Sequence, residues 1–226
     1  RKLSLWIFFI PLVGVNLCLL ISVNHHIFAN TVFAVDQIGM SGFTIPYLDG
    51  SLSISRASRT YPQFLIFKPT MLLTSYLLYL YWNKNNQLVN YFNYVSNKEN
   101  KFKTFGILSA IFLAIHSLLL GVELDINIFK FLRRVILVGF ILFEIIAQGL
   151  LVYEFYKLKL KINKFYNRTI LNIKILLVAS LATIAVLSIP ILISKSDVHF
   201  KHALEWNFFI GVILFYLLTR LFWKKP

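Results

Sequence analysis

Long apolar runs separated by shorter polar segments dominate the pattern of this chain. Six of the runs approach or exceed about 20 residues, the length at which a helix crosses the hydrocarbon core of a bilayer. They cover residues 5–23, 64–82, 105–122, 135–155, 170–193 and 203–223. The pattern predicts an all-α polytopic membrane protein, a bundle of six transmembrane helices forming a single domain over residues 1–226.

Two other interpretations of the runs fail on length. Arg1 and Lys2 precede the first run, as in a signal peptide. However, the run is longer than the usual apolar stretch of about 7–15 residues, and no A-x-A cleavage site follows it. A β-barrel would need strands of about ten residues with alternating polarity. We therefore expect the first run to be a span like the others.

The distribution of Lys and Arg predicts the orientation of the spans. Fifteen of these residues fall on the side of the chain termini and seven on the opposite side, with Lys68 inside the second span. Because basic residues concentrate in cytoplasmic loops, both termini are expected in the cytoplasm. The compartment would be an endomembrane (Golgi or ER) in a eukaryote and the inner or plasma membrane in a prokaryote.

The connection over residues 24–63 is the longest of the predicted loops. It exceeds the roughly 12–15 residues beyond which a loop usually has a function of its own. We expect it to form a structured cap on the outer (lumenal or extracellular) side. Most acidic residues fall near the same side, which indicates that the chemistry of the protein takes place there. They are Asp36, Asp49, Glu123, Asp125, Asp197 and Glu205.

Composition supports the membrane prediction and narrows the function classes. Charged residues make up 14% of the chain and hydrophobic residues 58%, whereas soluble domains carry about 25% charged residues. The single cysteine, Cys18, excludes a disulfide scaffold and a cysteine-based zinc site. The Lys and Arg residues that give the formal charge of +14 flank the spans. Membrane lipids are therefore the expected partners, and nucleic acid is not expected. A membrane-protein partner stays possible, and no cofactor is predicted.

Two segments carry a resemblance to a known family. The stretch IPYLDGSLSISR (residues 45–56), followed by Pro62-Gln63 and a span ending in Tyr81-Trp82-Asn83, resembles the first-loop signature of the Frag/DRAM/Sfk family, also called the Cwh-like N-terminal domain family. The HALEW segment (residues 202–206) is similar to the opening of that family's last span. The Ser-x-Ser and Pro-Gln forms are nearest to its post-GPI-attachment lipid-remodelling branch. The stretch over residues 123–127 departs from the family pattern.

The resemblance implies six spans, cytoplasmic termini and a role in lipid remodelling of the GPI-anchor type. A phospholipid or glycolipid headgroup would bind at the outer leaflet. In that hypothesis the cations Arg56, Arg59 and Lys68 hold phosphate, since guanidinium groups bind it bidentately. The residues expected to orient the headgroup are Ser51, Ser53, Ser55, Glu205 and Trp206.

Alternation of the three serines would place their hydroxyls on one face of an extended segment. The alternative is that the serines and Asp49-Gly50 form a turn that folds the loop onto the helices.

Glu205 lies inside the last span, where a carboxylate requires a partner. Lys68, Arg56 and Arg59 are the available cations, and a purely structural ion pair is the alternative to a headgroup role.

We further predict a polar pocket between the second, third, fourth and sixth spans. Its residues would be Asp49, His116, Glu123, Asp125 and His202. His199, His202 and Glu205 have the spacing i, i+3, i+6, which would suit a metal on one helix face. Interfacial histidines are the preferred explanation of this spacing, and no metal is predicted.

Glu144 and Gln148, four residues apart, should point into the bundle and serve either a proton relay or an interhelical hydrogen bond.

Two other functions stay open: a non-catalytic membrane regulator or scaffold, of the autophagy- or phosphoinositide-linked type, and a metal-dependent intramembrane hydrolase. The sequence does not decide whether the protein is an enzyme.

Overall fold

A computed structural model describes residues 1–34, 42–94, 99–122, 127–193 and 197–224, with the backbone alone for residues 127, 130 and 190–193. Within these ranges the regular secondary structure is helical, apart from one isolated bridge between Tyr166 and Trp223. Six helices are long and apolar enough to cross a membrane. The chain is therefore an all-α, multi-pass integral membrane protein, as the apolar runs predict.

The spans and the loop helices have these bounds. The six long helices are α1 (Lys2–Val23), α4 (Gln63–Asn93), α5 (Lys101–Leu119), α6 (Asn127–Lys157), α7 (Arg168–Ile193) and α8 (Val198–Phe222). Two short helices, α2 (Pro46–Asp49) and α3 (Ile54–Ala57), lie in the loop after α1, which begins with a 3-10 turn over His25–Phe28.

The long helices form a closed ring in chain order. Each packs on the next, from α1 on α4 through α7 on α8, and α8 returns to α1. Aromatic side chains fill the interior, with Trp82, Trp206 and Tyr216 almost entirely buried. At Gly106 a Cβ would lie 2.2 Å from the Trp82 ring, so the absence of a side chain lets α5 approach α4.

Helix α4 continues eleven residues beyond the predicted end of the second span. Its last turns carry Asn86 and Asn90, which are buried despite their polarity. The Asn100 amide, at the start of α5, donates to the Asn86 side-chain oxygen at 2.8 Å and to that of Asn90 at 3.0 Å. Because these hydrogen bonds join two helices, the length of the apolar run does not reveal the additional turns of α4.

The described part of the long loop folds against the ring. Helix α2 packs on α8, while α3 packs on α1 and α8. The Tyr47 hydroxyl donates to the Asn16 side chain at 3.0 Å, and the Tyr47 ring lies 4.8 Å from that of Trp206. Gly50 ends α2 with φ of 59°, and a Cβ there would lie 1.7 Å from the His199 carbonyl oxygen. Glycine at this position lets the loop reach α8.

Candidate functional site

Side chains on the first turns of α8 fasten the loop to the ring. His202 Nδ1 lies 3.0 Å from the Gly50 carbonyl oxygen, and Trp206 Nε1 donates to the Leu52 carbonyl at 2.7 Å. The indole N–H is the single hydrogen-bonding group of a tryptophan side chain. Trp206 therefore acts as a buried anchor for the loop, with no polar atom left for the headgroup contact that we predicted.

Asp49 organises a turn at the surface of the loop. Its carboxylate accepts the backbone N–H of Ser51 at 2.9 Å, that of Ile45 at 3.0 Å and the Thr44 hydroxyl at 2.8 Å. The Ser51 hydroxyl is in turn hydrogen-bonded to Thr44. These hydrogen bonds, led by the one from the Ser51 N–H, lower the pKa of Asp49 to about 2 because they favour the ionised carboxylate. Asp49 thus stabilises the loop and does not line the predicted pocket.

The three serines do not share one face of an extended segment, so that expectation is wrong. The Ser53 hydroxyl accepts the Arg56 N–H at 3.1 Å and caps α3. The chain becomes helical directly after Ser53, and Ser55 lies within α3, where its hydroxyl accepts from Arg59 at 3.2 Å. Ser51 is bound in the turn around Asp49. The alternative interpretation, that serines fold the loop onto the helices, therefore fits Ser51 and Ser53.

Glu205 and Arg59 come together beneath α3. Glu205 accepts the backbone N–H of Ser55 and interacts electrostatically with the Arg59 guanidinium. Lys68, the other cation we considered, does not line the cavity beside Glu205, and its ammonium lies 5.4 Å from the Phe64 ring. Arg56 is exposed and close enough to interact electrostatically with His202. The loop arginines therefore flank the junction between α3 and α8.

A cavity of about 80 Å³ lies inside the helix ring, below α3. Its walls are mostly apolar side chains from α1, α4, α5, α6 and α8, with Ile54 of α3 at the loop end. The polar lining residues are Thr74, His116, Glu144, Glu205 and Tyr216. The predicted pocket between the second, third, fourth and sixth spans thus corresponds to a real space, which is more apolar than expected and is also bounded by the first span.

His116 is the predicted pocket residue that faces this cavity. It is 8% exposed, and its Nδ1 has no hydrogen-bond partner within the described residues. Asp49 and His202 belong to the loop junction instead, while Glu123 and Asp125 lie outside the described residues. A buried polar atom without a partner usually indicates water or a ligand at the site.

The metal hypothesis receives no support from the arrangement of α8. His199 is exposed, and its backbone N–H donates at 2.9 Å to the carboxylate of Asp197, the N-cap residue of α8. His202 bonds to Gly50, and Glu205 to Ser55. Across the part of the chain that the structure describes, no three His, Cys, Asp or Glu residues come together to hold a metal.

A second polar cluster lies deeper in the ring. Glu144 and Gln148 are fully buried, which confirms that they point into the bundle. Lys174, which we had counted among the basic residues of the terminal side, is also fully buried and donates to the Thr219 hydroxyl at 2.8 Å. Its helical phase was the available signal, because Leu171, Lys174, Val178 and Leu181 fall on the buried face of α7.

Comparisons with protein-family models, with curated proteins and with solved structures gave no significant match for this chain. The resemblance to the Frag/DRAM/Sfk family therefore stays a prediction that rests on the two motif segments.

Proposed function

We propose that the protein binds a membrane lipid, with an acyl chain in the cavity and the headgroup against the loop. The observation that carries the proposal is the apolar cavity that runs inward from the charged loop junction. Its lining on α8 extends from Glu205 to Tyr216, which corresponds to about 16 Å at 1.5 Å per residue. Half of the hydrocarbon core of a bilayer is about 15 Å. The part of α8 that lines the cavity therefore spans about the thickness of one leaflet.

The loop junction offers groups that suit a phosphate-bearing headgroup. Arg56 is exposed beside the first turns of α8, and Arg59 lies between Ser55 and Glu205. Guanidinium groups bind phosphate bidentately. Arg56 and Arg59 would hold the phosphate, while Ser55 and Glu205 orient neighbouring hydroxyls. Lys68 and the other serines contribute less, because their contacts lie elsewhere.

The finer parts of the proposal come from the sequence. The excess of Lys and Arg on the terminal side supports cytoplasmic termini and a loop that faces the outer or lumenal leaflet. The motif resemblance supports lipid handling of the GPI-anchor remodelling type in an endomembrane. The proposed activity is binding and presentation of the lipid, and it assigns no residue as a nucleophile.

Acyl-chain entry requires the cavity walls to move. The cavity volume of about 80 Å³ is below the roughly 300–1,000 Å³ of typical ligand pockets. Met71 and Phe208 line it, and methionine adapts its shape readily because its side chain is unbranched. A large side chain placed in the lining would occupy the space that the acyl chain needs.

The test is native mass spectrometry of the detergent-purified protein with its co-purified lipids. Leu113 lines the cavity and is 5% exposed, whereas Leu118 on the same helix is 55% exposed. We expect Leu113→Trp to lose the bound lipid and Leu118→Trp to retain it. Arg56→Gln with Arg59→Gln should selectively reduce lipids that carry phosphate. Equal lipid retention in the two leucine variants would refute the proposal.

One observation favours the regulator or scaffold alternative. His202 and Trp206 of the family-like segment both bond to the loop backbone, which is what a purely structural role for this segment requires. That alternative predicts no lipid that depends on Leu113 or on the arginines, so the same measurement separates the two functions.

A further inference from the structure

Two ionisable side chains are buried in the deep part of the ring, away from the loop junction. Glu144 of α6 and Lys174 of α7 are both fully inaccessible. Ionisable residues inside a membrane are costly and mark ion or proton paths, or pairs that compensate one another. In the lipid-binding proposal Glu144 only lines the cavity and Lys174 has no part, so the ionisable character of the two residues requires a separate account.

Hydrogen bonds join Lys174 to α4 through a threonine. Lys174 Nζ donates to the Thr219 hydroxyl at 2.8 Å and lies 3.8 Å from the centroid of the Phe215 ring. The Thr219 hydroxyl donates in turn to the Phe215 carbonyl at 2.9 Å. The Thr219 oxygen is 3.2 Å from the Tyr81 hydroxyl. Tyr81 and Thr219 are buried as well, so this chain of three polar groups runs through the interior.

A second set of hydrogen bonds surrounds Glu144. Its carboxylate accepts from the Ser109 hydroxyl at 2.5 Å, from the Gln148 amide at 3.0 Å and from the Tyr216 hydroxyl. The Tyr216 ring packs edge-on against that of Tyr81, with centroids 4.9 Å apart. The Glu144 group and the Lys174 group therefore meet at two tyrosines.

Unsatisfied polar atoms lie where these groups meet. Gln148 Oε1 and Trp82 Nε1 are fully buried and have no hydrogen-bond partner within the described residues. The Trp82 indole interacts with the Glu144 carboxylate without forming a hydrogen bond of normal geometry. Glu144 and Tyr216 also line the cavity of about 80 Å³, and a single water needs roughly 10–15 Å³ of such volume. Water can therefore sit beside Glu144.

The titratable groups follow one another along the axis of the bundle. Counted from the terminal end of each helix at 1.5 Å per residue, Lys174 lies about 9 Å along α7 and Glu144 about 20 Å along α6. His116 and Glu205 follow at about 22 Å and 25 Å, and both face the same cavity. Glu144 is faced by Trp82 of α4, Ser109 of α5 and Tyr216 of α8. Lys174 is faced by Phe215, Thr219 and Phe222, all of α8.

We propose that these groups form a proton-transfer pathway through the protein. A proton enters from cavity water onto the Glu144 carboxylate. The Tyr216 and Tyr81 hydroxyls each accept one proton and release another, with ring rotation or a water closing the gap between them. The Thr219 hydroxyl accepts that proton and, after turning from the Phe215 carbonyl, passes its own to Lys174 as the neutral amine. The resulting ammonium releases one proton toward the terminal side and returns to the amine. One proton crosses per passage, and no electrons move.

The test uses the full chain in phosphatidylcholine vesicles that contain a fluorescent pH indicator. A pH gradient is imposed, valinomycin with potassium balances the charge, and the rate of pH equilibration is recorded. We expect the wild type to equilibrate faster than protein-free vesicles. Tyr81→Phe and Glu144→Gln should lower the protein-dependent rate by at least about tenfold, since each removes one proton-transfer group.

The matched control is Tyr79→Phe, because Tyr79 lies on the same helix and is 46% exposed. It should keep the wild-type rate. Tyr81→Phe keeps the ring and its packing, and thermal unfolding in detergent verifies that each variant is folded. A wild-type rate equal to that of empty vesicles, or a folded Tyr81→Phe protein as fast as Tyr79→Phe, would overturn the pathway. Neither outcome depends on lipid retention, so the two proposals fail separately.

Discussion

Replacing Gly50 with alanine should release the loop from α8. A Cβ at this position would lie 1.7 Å from the His199 carbonyl oxygen and 2.6 Å from its carbonyl carbon. Both atoms belong to the backbone of α8, so no side-chain rotation relieves the clash. The backbone at Gly50 also has φ of 59°, a conformation that side chains disfavour.

The size of the effect follows from what the loop loses. The left-handed conformation costs an alanine about 1–2 kcal/mol. To relieve the clash, the docked loop of the variant must shift away from α8, which removes the His202 contact with Gly50 and the Trp206 hydrogen bond to Leu52 from the docked state; each is worth about 0.5–1.5 kcal/mol. Loop docking should therefore weaken by about 2–5 kcal/mol. At tenfold per 1.4 kcal/mol, the undocked population rises at least about thirtyfold.

Limited trypsin digestion in detergent measures this population, because cleavage of a transiently opened segment tracks its equilibrium opening. Arg56 is exposed in the loop and supplies the cleavage site. Gly42→Ala is the control, since a Cβ at Gly42 meets nothing within 4 Å. Gly50→Ala should be cut much faster than the control. Equal cleavage rates for the two variants would show that the loop does not depend on close contact at Gly50.

Three further outcomes are expected. Trp206→Phe should lower the free energy of unfolding by about 1–3 kcal/mol, because it leaves a buried carbonyl without its donor; thermal unfolding in detergent checks this, and an unchanged midpoint would contradict it. Because the pKa of Asp49 is lowered from 3.8 to about 2 in the folded loop, Asp49 stabilises docking above pH 4 and loses that contribution as the pH falls through 2. Pepsin cleavage of the loop should therefore rise between pH 4 and pH 2 in the wild type and much less in Asp49→Asn, whereas parallel profiles would refute the assignment. Gly106→Ala should cost about 1–3 kcal/mol by overpacking against Trp82, while Gly149→Ala, with its nearest neighbour at 3.4 Å, should be nearly neutral in the same unfolding assay.

The spans were predictable because a bilayer imposes one strong requirement on each of them. Every span must be apolar over the hydrocarbon thickness, so composition in a sliding window located all six. Their ends were less predictable. The last turns of α4 are polar, and Asn86 and Asn90 remain helical because Asn100 of the next span bonds to them. Such a contact is not present in any window of the sequence.

The candidate site was predictable in its location and not in its pairings. The sequence indicated that the loop and the outer end of the last span act together, and Glu205 does lie beneath the loop. Three cations were equally eligible as its partner from sequence alone. The folding of α3 brings Arg59 to Glu205 and leaves Lys68 on another face, because helical phase and loop path together decide which side chains meet.

By itself, the sequence determined the class of the protein and the number of its spans. Those properties depend on local composition, because each span must be apolar over the hydrocarbon thickness. The tertiary structure alone decided that the spans close into a ring and that a cavity lies inside it. It also decided that the hydrogen bonds of Lys174 and those of Glu144 lie side by side where the rings of Tyr81 and Tyr216 pack together. The physical reason is that burial of a polar side chain depends on the neighbours that the whole fold supplies, and those neighbours come from distant parts of the chain.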